Sequence, residues 1–288
     1  MSNADLLSRA IASKGSPVCV GLDPVIEQFD ASVAGSTIAD RFSYFSRAVI
    51  DAAAPHTPAV KFQSACYERL GWEGVRVLEH AMRYARDNGL TVILDAKRGD
   101  IGISAAHYAA GAKNAGAHIV TVNGYLGTSG IIPFLEAGLG VFVLVRTSNP
   151  DSATIQSQRL AGGTSVAELM GHTVAELGRN YIGHTGLSSV GAVVGATQSA
   201  EAASLRALMP DQIFLIPGFG AQGGTADDIR EMVRKRQPPE QAGVVVTASR
   251  SVIYPKGTKS WKDNVAAAAA DFASQIKSVV GAPEVSRQ

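Results

Sequence analysis

A cluster of charged residues follows an apolar run near residue 95. In the segment TVILDAKRGDIG, a run of β-branched and aliphatic residues is followed by Asp95, Lys97 and Asp100. Charged side chains are costly in a protein core unless they are paired or used. The pattern therefore indicates a buried strand that either ends at a surface or delivers its charges to a functional site.

The spacing of these charges favours a joint chemical role. Asp95 and Lys97 are two residues apart, so on an extended backbone they point to the same side. Asp100 follows a glycine, where we expect the chain to turn away. Asp23 directly follows the apolar run PVCVGL, and Lys61 lies within the run AVKF. Alternating lysines and aspartates hold one another charged, and such an array is a source of preorganised electrostatics.

Eight short apolar runs recur along the chain and indicate strands. They occupy residues 17–22, 59–62, 91–96, 118–122, 141–145, 190–195, 213–218 and 243–248. Segments with helical spacing separate them, at residues 40–53, 74–89, 104–116, 165–180, 201–209 and 227–236. Continuous apolar strands are typical of a parallel sheet covered on both faces, and eight βα units in about 250 residues predict a (β/α)8 barrel. A doubly wound open sheet is the alternative, but the G-x-G-x-x-G turn that usually follows its first strand is absent.

A barrel of this kind would bring the charges together. Active sites of such barrels are built at the carboxyl ends of the strands. Strands one, two and three would then direct Asp23, Lys61, Asp95 and Lys97 toward one mouth. A structural ion-pair network at the barrel rim is the alternative for a single pair, and it explains a convergence from three strands less well.

The loops after strands five, seven and eight carry polar groups that could bind a substrate. PGFGAQGG after strand seven is rich in glycine and contains Gln222, and TASRSVIYP after strand eight contains Arg250. Barrels commonly build phosphate sites from these two loops, because glycines let backbone N–H groups approach the phosphate and arginine binds its oxygens. Ser148 and Asn149 follow strand five and could hydrogen-bond a polar substrate.

The remaining segments predict a single domain. Residues 4–15 have the spacing of a helix that closes the bottom of the barrel, and residues 264–280 form a last outer helix. We therefore expect one catalytic domain over residues 1–280 and a flexible C-terminal tail over residues 281–288. Residues 146–164 are the longest irregular stretch, and a loop of that length is usually functional or mobile.

Composition restricts the class of function. The chain has 288 residues, 46% of them hydrophobic, and a formal net charge of +1. The near-zero net charge gives no electrostatic attraction for nucleic acid or an anionic membrane, so the composition favours small-molecule chemistry.

Cys19 and Cys66 lack C-x-x-C spacing and are interpreted as reduced core residues. Neither a signal peptide nor a membrane span is indicated, which predicts a cytoplasmic protein.

Several motifs together resemble one enzyme family. VKFQSACYE, DAKRGDIG, TSNP, PGFGAQGG and SRSVIYP are similar to the motifs of orotidine 5′-phosphate decarboxylases, and most similar to the bacterial branch with the longer chain. The resemblance runs from VGLDP to SRSVIYP. It implies a homodimeric barrel without metal or organic cofactor that converts orotidine 5′-monophosphate to UMP and CO2, the last step of de novo pyrimidine nucleotide synthesis. One departure is Ser249, where many relatives have a glycine before the arginine.

The resemblance also implies roles for individual residues. Lys61, Asp95, Lys97 and Asp100 would form a charged tetrad, with Lys97 stabilising and protonating the C6 carbanion. Asp23 and Lys61 would contact ribose hydroxyls, and Ser148 the pyrimidine. Gln222 and Arg250 would hold the phosphate.

The segment KRGDIGISAAHY predicts that the site is shared between two chains. Gly99 and Gly102 permit the chain to veer outward after Lys97. The residues that follow could then reach a neighbouring subunit, namely Asp100, Ile101 and Ser104.

Two alternatives stay open at the level of sequence. Hexulose-phosphate synthases and keto-gulonate-phosphate decarboxylases share D-x-K-x-x-D and use Mg²⁺, but they tend to place a carboxylate near the position of Lys61. Activity in EDTA distinguishes them. A non-catalytic sensor of nucleotide phosphates is the second alternative, although a binder gains nothing from a carboxylate aimed at a substrate carboxylate.

Overall fold

The computed structural model describes residues 1–195, 199–219 and 224–281. Its strands are β1 (Val18–Leu22), β2 (Ala59–Gln63), β3 (Thr91–Arg98), β4 (Ile119–Val122), β5 (Gly140–Arg146), β6 (Ser188–Val194), β7 (Gln212–Ile216) and β8 (Val244–Ala248). Within the described residues these strands pair in chain order, all parallel, and β8 pairs with β1 to close a barrel. The predicted (β/α)8 barrel is confirmed, and the open doubly wound sheet is excluded.

Helices alternate with the strands. They are α1 (Asn3–Lys14), α2 (Ile38–Ala53), α3 (Ser64–Glu68), α4 (Gly71–Asp87), α5 (Gly102–Ala115), α6 (Ile132–Glu136), α7 (Ala153–Gln156), α8 (Val166–Gly178), α9 (Ser199–Leu208), α10 (Ala226–Met232), α11 (Arg250–Ile253) and α12 (Trp261–Val280). Short 3-10 turns occur at Ile26–Gln28, Gly124–Leu126, Thr128–Gly130, Arg179–Tyr181 and Pro239–Gln241. Within the described residues, no helix combines the length and apolarity that a membrane span requires.

Two layers of apolar packing hold the barrel together. Outward side chains of the strands pack against the helices, while inward side chains form a second, smaller cluster inside the barrel. Leu7 and Ile11 of α1 are buried against this inner cluster and close its amino-terminal end, as the sequence predicts. The opposite end, where the strands finish, is left open for a site. Cys19 is buried in the inner cluster and Cys66 is half-buried, and both are free thiols.

Two predicted segments differ from the structure. The helical segment predicted over residues 227–236 ends at Met232, because Val233 adopts an extended backbone and the Arg234 N–H donates to the carbonyl of Ala242 at 2.8 Å. The irregular stretch over residues 146–164 contains the short helix α7. Residues 282–288 of the predicted tail lie outside the described part of the chain.

Candidate active site

A cavity of about 490 Å³ opens at the carboxyl ends of the strands. One wall, from β1 to β4, is polar and includes Asp23, Lys61, Gln63, Asp95, Lys97 and Thr121. From β5 to β7 the lining combines the apolar side chains of Leu144, Val193, Leu215, Pro217 and Phe219 with polar side chains of the segment that follows β5. A cavity with charged groups on one side and both apolar and polar groups on the other suits a small ligand that combines an apolar body with polar and charged substituents.

Lys61 lies at the centre of the charged wall. It projects from β2 into the barrel and is 5% exposed. Its ammonium nitrogen lies 2.9 Å from Asp95 Oδ2 and 3.4 Å from Asp23 Oδ1. Burial alone would lower the pKa of Lys61, but Asp23 and Asp95 outweigh burial and raise it. Lys61 is therefore a permanent positive charge at neutral pH.

Asp95 receives three side-chain donors. In addition to Lys61, the Lys97 ammonium lies 2.6 Å from Oδ1 and the Thr121 hydroxyl lies 2.8 Å from the same oxygen. Burial would raise the pKa of Asp95, but Lys61 and Lys97 outweigh burial and lower it to about 2. Asp95 therefore stays ionised at neutral pH, although it is 7% exposed.

The strand that carries these residues is irregular. Leu94 pairs with Val120 and Arg98 with Val122, so β3 advances four residues while β4 advances two. Lys97 lies in this bulge with φ 47°, in the left-handed region that residues with a side chain rarely adopt. Such backbone costs on the order of 1–3 kcal/mol and is concentrated at functional sites. The lysine and the neighbouring carboxylate meet as expected, but they do so through a bulge and not through regular strand alternation.

Thr121 is a site residue that the sequence analysis misses. It is 1% exposed, and its hydroxyl accepts a hydrogen bond from the Lys97 backbone N–H at 2.9 Å and donates to Asp95. The available signal was strand alternation, because Ile119 and Thr121 of the run IVTV lie on the same face. A hydroxyl at an inward position of a barrel strand indicates a group that needs a polar partner.

Ser148 lines the cavity in the segment that follows β5. Gln156 at the end of α7 anchors this segment: its Oε1 accepts from the Thr147 N–H at 2.8 Å, and its Nε2 donates to Thr147 Oγ1 at 2.8 Å. A Cβ added to Gly195 would lie 2.9 Å from Ser148 Cβ, so the glycine lets this segment pack against the end of β6. Ser148 therefore belongs to an anchored wall of the cavity.

Arg250 begins α11 and also lines the cavity. It forms no ion pair with a carboxylate in the part of the chain that the structure describes. Ser249 precedes it, and a Cβ added to Gly21 would lie 2.0 Å from the Ser249 hydroxyl oxygen. The serine hydroxyl thus occupies the space that a side chain at position 21 would need. Gln222, which we expect beside Arg250, lies outside the described residues.

Three other predicted site residues lie outside the cavity that the described residues form. The Asp100 carboxylate accepts a hydrogen bond from the Ile101 N–H at 2.8 Å. Ile101 is 60% exposed and Ser104 is half-buried. Gly102 has φ 54°, which only glycine adopts readily, and the chain turns there into α5. These residues are therefore at the surface where β3 passes into α5, separate from the row formed by Asp23, Lys61, Asp95 and Lys97.

Fold and site together define a class: a (β/α)8 barrel with a small-molecule site in which fixed aspartate and lysine charges alternate at the carboxyl ends of the strands. Comparison with known proteins narrows this class. Residues 16–260 match the family of orotidine 5′-phosphate decarboxylase and HUMPS proteins, and the chain belongs to this family.

Known proteins are similar to this chain over most of its length. Orotidine 5′-phosphate decarboxylase of Rhodopirellula baltica is 37% identical over 96% of this chain and 99% of the relative. The enzyme of the same name from Deinococcus radiodurans is 38% identical over 88% of this chain and 90% of the relative. The structure of Leishmania donovani OMP decarboxylase has a TM-score of 0.79 at 28% identity and covers 98% of this chain and 100% of that one. The resemblance to the bacterial branch is confirmed.

Proposed function

We propose that this protein decarboxylates orotidine 5′-monophosphate to UMP and CO2, and so acts in pyrimidine nucleotide synthesis. The observation that carries the proposal is the row Asp23–Lys61–Asp95–Lys97, in which a buried, ionised carboxylate faces a cavity between two ammonium groups. The near full-length similarity to proteins named for this activity supports the same reaction.

The reaction needs fixed positive charge beside one carbon atom. When the bond from C6 to the carboxylate breaks, CO2 leaves and the electron pair remains on C6, where no adjacent π system delocalises it. Lys97 reaches the cavity from the bulge and carries an ammonium group at the charged wall. It stabilises the developing negative charge and then transfers one proton to C6, which gives UMP.

Asp95 pairs with the lysines and also repels the carboxylate of the bound substrate. With its pKa at about 2, it is ionised when the substrate carboxylate binds beside it. Two like charges at ~3 Å and an effective dielectric of ~20 repel by on the order of 5 kcal/mol, and this repulsion is relieved as CO2 leaves. The buried Lys61 ammonium lies 2.9 Å from Asp95 Oδ2 and therefore keeps Asp95 ionised.

The other residues hold the two ends of the substrate. Asp23 and Lys61 contact the ribose hydroxyls, and Ser148 contacts the pyrimidine from its anchored wall. Arg250, which has no carboxylate partner among the described residues, binds the phosphate together with Gln222. Contacts to the pyrimidine at one end of the substrate and to the phosphate at the other thus hold the reacting carbon, C6, in place.

The active form is a cytoplasmic homodimer in which Asp100, Ile101 and Ser104 enter the neighbour's site. The exposed apolar side chains around this segment support such an interface: Ile101, Ile103, Tyr125 and Leu126 are 60%, 75%, 84% and 44% exposed. Residues of this kind are enriched in subunit interfaces. The barrel over residues 1–280 is the catalytic unit of each subunit.

A spectroscopic assay tests the proposed function. Purified protein should lower the part of the ultraviolet absorbance that distinguishes orotidine 5′-monophosphate from UMP, at the same rate with and without EDTA. Loss of activity in EDTA would favour the Mg²⁺-dependent members of the family. A protein that binds UMP but does not decarboxylate orotidine 5′-monophosphate would be a nucleotide sensor.

A further inference from the structure

One hydroxyl group on β4 holds two residues of the charged row at once. Thr121 Oγ1 lies 2.9 Å from the backbone nitrogen of Lys97 and 2.8 Å from Asp95 Oδ1. The side chain is almost fully buried, at 1% exposure. Water therefore does not compete for either bond.

The direction of both bonds is determined by chemistry. A backbone N–H can only donate, so the hydroxyl oxygen accepts from Lys97. The hydroxyl proton is then free to point at Asp95, which is ionised and can only accept. The Thr121 hydroxyl thus links the Lys97 backbone to the Asp95 carboxylate. The side chain of Lys97 contacts the same carboxylate.

The bulge in β3 explains why a side chain is needed here. Between Leu94 and Arg98 the register with β4 is shifted, and Lys97 stands in the left-handed conformation opposite Thr121. In a regular ladder the Lys97 N–H would bond to a main-chain carbonyl of the neighbouring strand. The threonine hydroxyl takes that place, so the bulge is closed by a side chain.

We propose that Thr121 is a positioning residue: its hydroxyl holds the Lys97 backbone and the Asp95 carboxylate in the geometry that sets the Lys97 ammonium on its target carbon. This inference rests on the proposed function, because it assigns Thr121 a role in that reaction. It acts through two other residues and needs no contact with the substrate.

Thr121→Val removes the hydroxyl and keeps the shape of the side chain. We expect kcat for orotidine 5′-monophosphate to fall by about 10²-fold, as a small misplacement of a catalytic group does. The inhibition constant of UMP should change by less than about threefold, because phosphate and ribose contacts stay intact. Thr121→Ser keeps both hydrogen bonds and should restore most of kcat.

Thr91→Val is the matched control. Thr91 is also a β-strand threonine at 1% exposure, but its hydroxyl has no hydrogen-bond partner in the described part of the chain. The substitution makes the same chemical change away from the site. We expect kcat, the inhibition constant of UMP and the melting temperature to stay close to those of the wild type.

Several results would overturn the inference. These are wild-type kcat in Thr121→Val, or equal losses in kcat and UMP binding, which would indicate a general structural role. If Thr121→Val does not fold, Thr121→Ser and Thr121→Ala replace it, since they differ only in the hydroxyl, and equal kcat in that pair would refute the positioning role. A wild-type protein that binds UMP without turnover would refute the proposed function itself, and with it this role.

Discussion

Two carboxylates at opposite ends of the barrel have the same low pKa for different reasons. Asp5 in α1 is 8% exposed and Asp95 at the mouth is 7% exposed. Burial would raise the pKa of each, yet both are lowered to about 2. At Asp5 neutral donors achieve this, chiefly the Thr185 N–H at 3.0 Å. At Asp95 the two lysine ammonium groups achieve it.

The two carboxylates differ in what surrounds them. The Asp5 carboxylate accepts hydrogen bonds from the N–H and the hydroxyl of Thr185, in the loop before β6, so its partners belong to the folded structure itself. The charges around Asp95 border a cavity, so their field also acts on whatever enters it. A depressed pKa alone therefore does not identify a functional site. Asp95 differs from Asp5 in three further respects: it borders a cavity, it contacts two ammonium groups, and it lies beside the positive φ of Lys97.

The largest effect should come from removing the cation at the mouth. Lys97→Ala should lower kcat by at least about 10³-fold, because both the charge and the proton for C6 are lost. UMP should still bind. Lys14→Ala, which removes an exposed lysine from α1 at the other end of the barrel, is the matched control and should keep full activity. A Lys97→Ala variant with more than about a tenth of wild-type activity would contradict the assigned proton donor.

Removing Arg250, the proposed phosphate-binding charge, should have the next largest effect. Arg250→Ala should lower kcat/KM for orotidine 5′-monophosphate by about 10²-fold or more, since remote binding energy is used to order the mouth. The same variant should scarcely change kcat/KM for orotidine, which has no phosphate. Equal losses with both substrates would mean that Arg250 acts on the fold or on the chemistry.

Mixed dimers test whether the mouth is completed by a second chain. Lys97→Ala and Asp100→Ala should each be nearly inactive. When the two are mixed and subunits exchange, a shared site predicts that half the dimers carry one intact site, which restores about a quarter of wild-type activity. Mass spectrometry would verify the exchange. No recovery in exchanged dimers would assign Asp100 to its own subunit.

The smallest effect concerns the structural carboxylate. Asp5→Ala should leave kcat unchanged and lower Tm at pH 7 by a few degrees, since about 1 kcal/mol shifts Tm by ~2–4 °C in a domain of this size. The folded-state pKa of about 2 lies below the ordinary value of 3.8, so this stability is present above pH 4 and is lost as the pH falls toward 2. Melting curves at pH 7, 5 and 3 should show the difference between wild type and variant shrinking at pH 3. A constant difference would mean that the aspartate contributes by packing.

The fold could be predicted from the sequence because its signals are local. Each apolar run, such as VFVLV at residues 141–145, is long enough to be a strand and too short to be a helix, and eight of them alternating with helical segments leave few architectures. The predicted strand ends agree with the structure to within two residues. The row Asp23, Lys61, Asp95 and Lys97 follows from the rule that strand ends meet at one mouth.

Other parts of the site depend on pairing between distant strands. The bulge at Lys97 arises from the register of β3 against β4, and no local pattern in DAKRGD specifies a two-residue shift. Thr121 accepts a hydrogen bond from Lys97 because that bulge leaves the Lys97 N–H opposite it. Gln156 likewise gains its role only when α7 folds back on Thr147. The roles of these residues come from tertiary contacts and not from spacing along the chain.

The contact between Gly21 and Ser249 makes the effect of a substitution at one position depend on the residue at the other. The two residues lie on the neighbouring strand ends of β1 and β8, and an added Cβ at one would collide with the hydroxyl of the other. Alanine at position 21 therefore requires the Ser249 side chain to turn away or shift, and this requirement disappears when glycine stands at 249. The two positions are therefore coupled, because the cost of a side chain at position 21 depends on the residue at position 249.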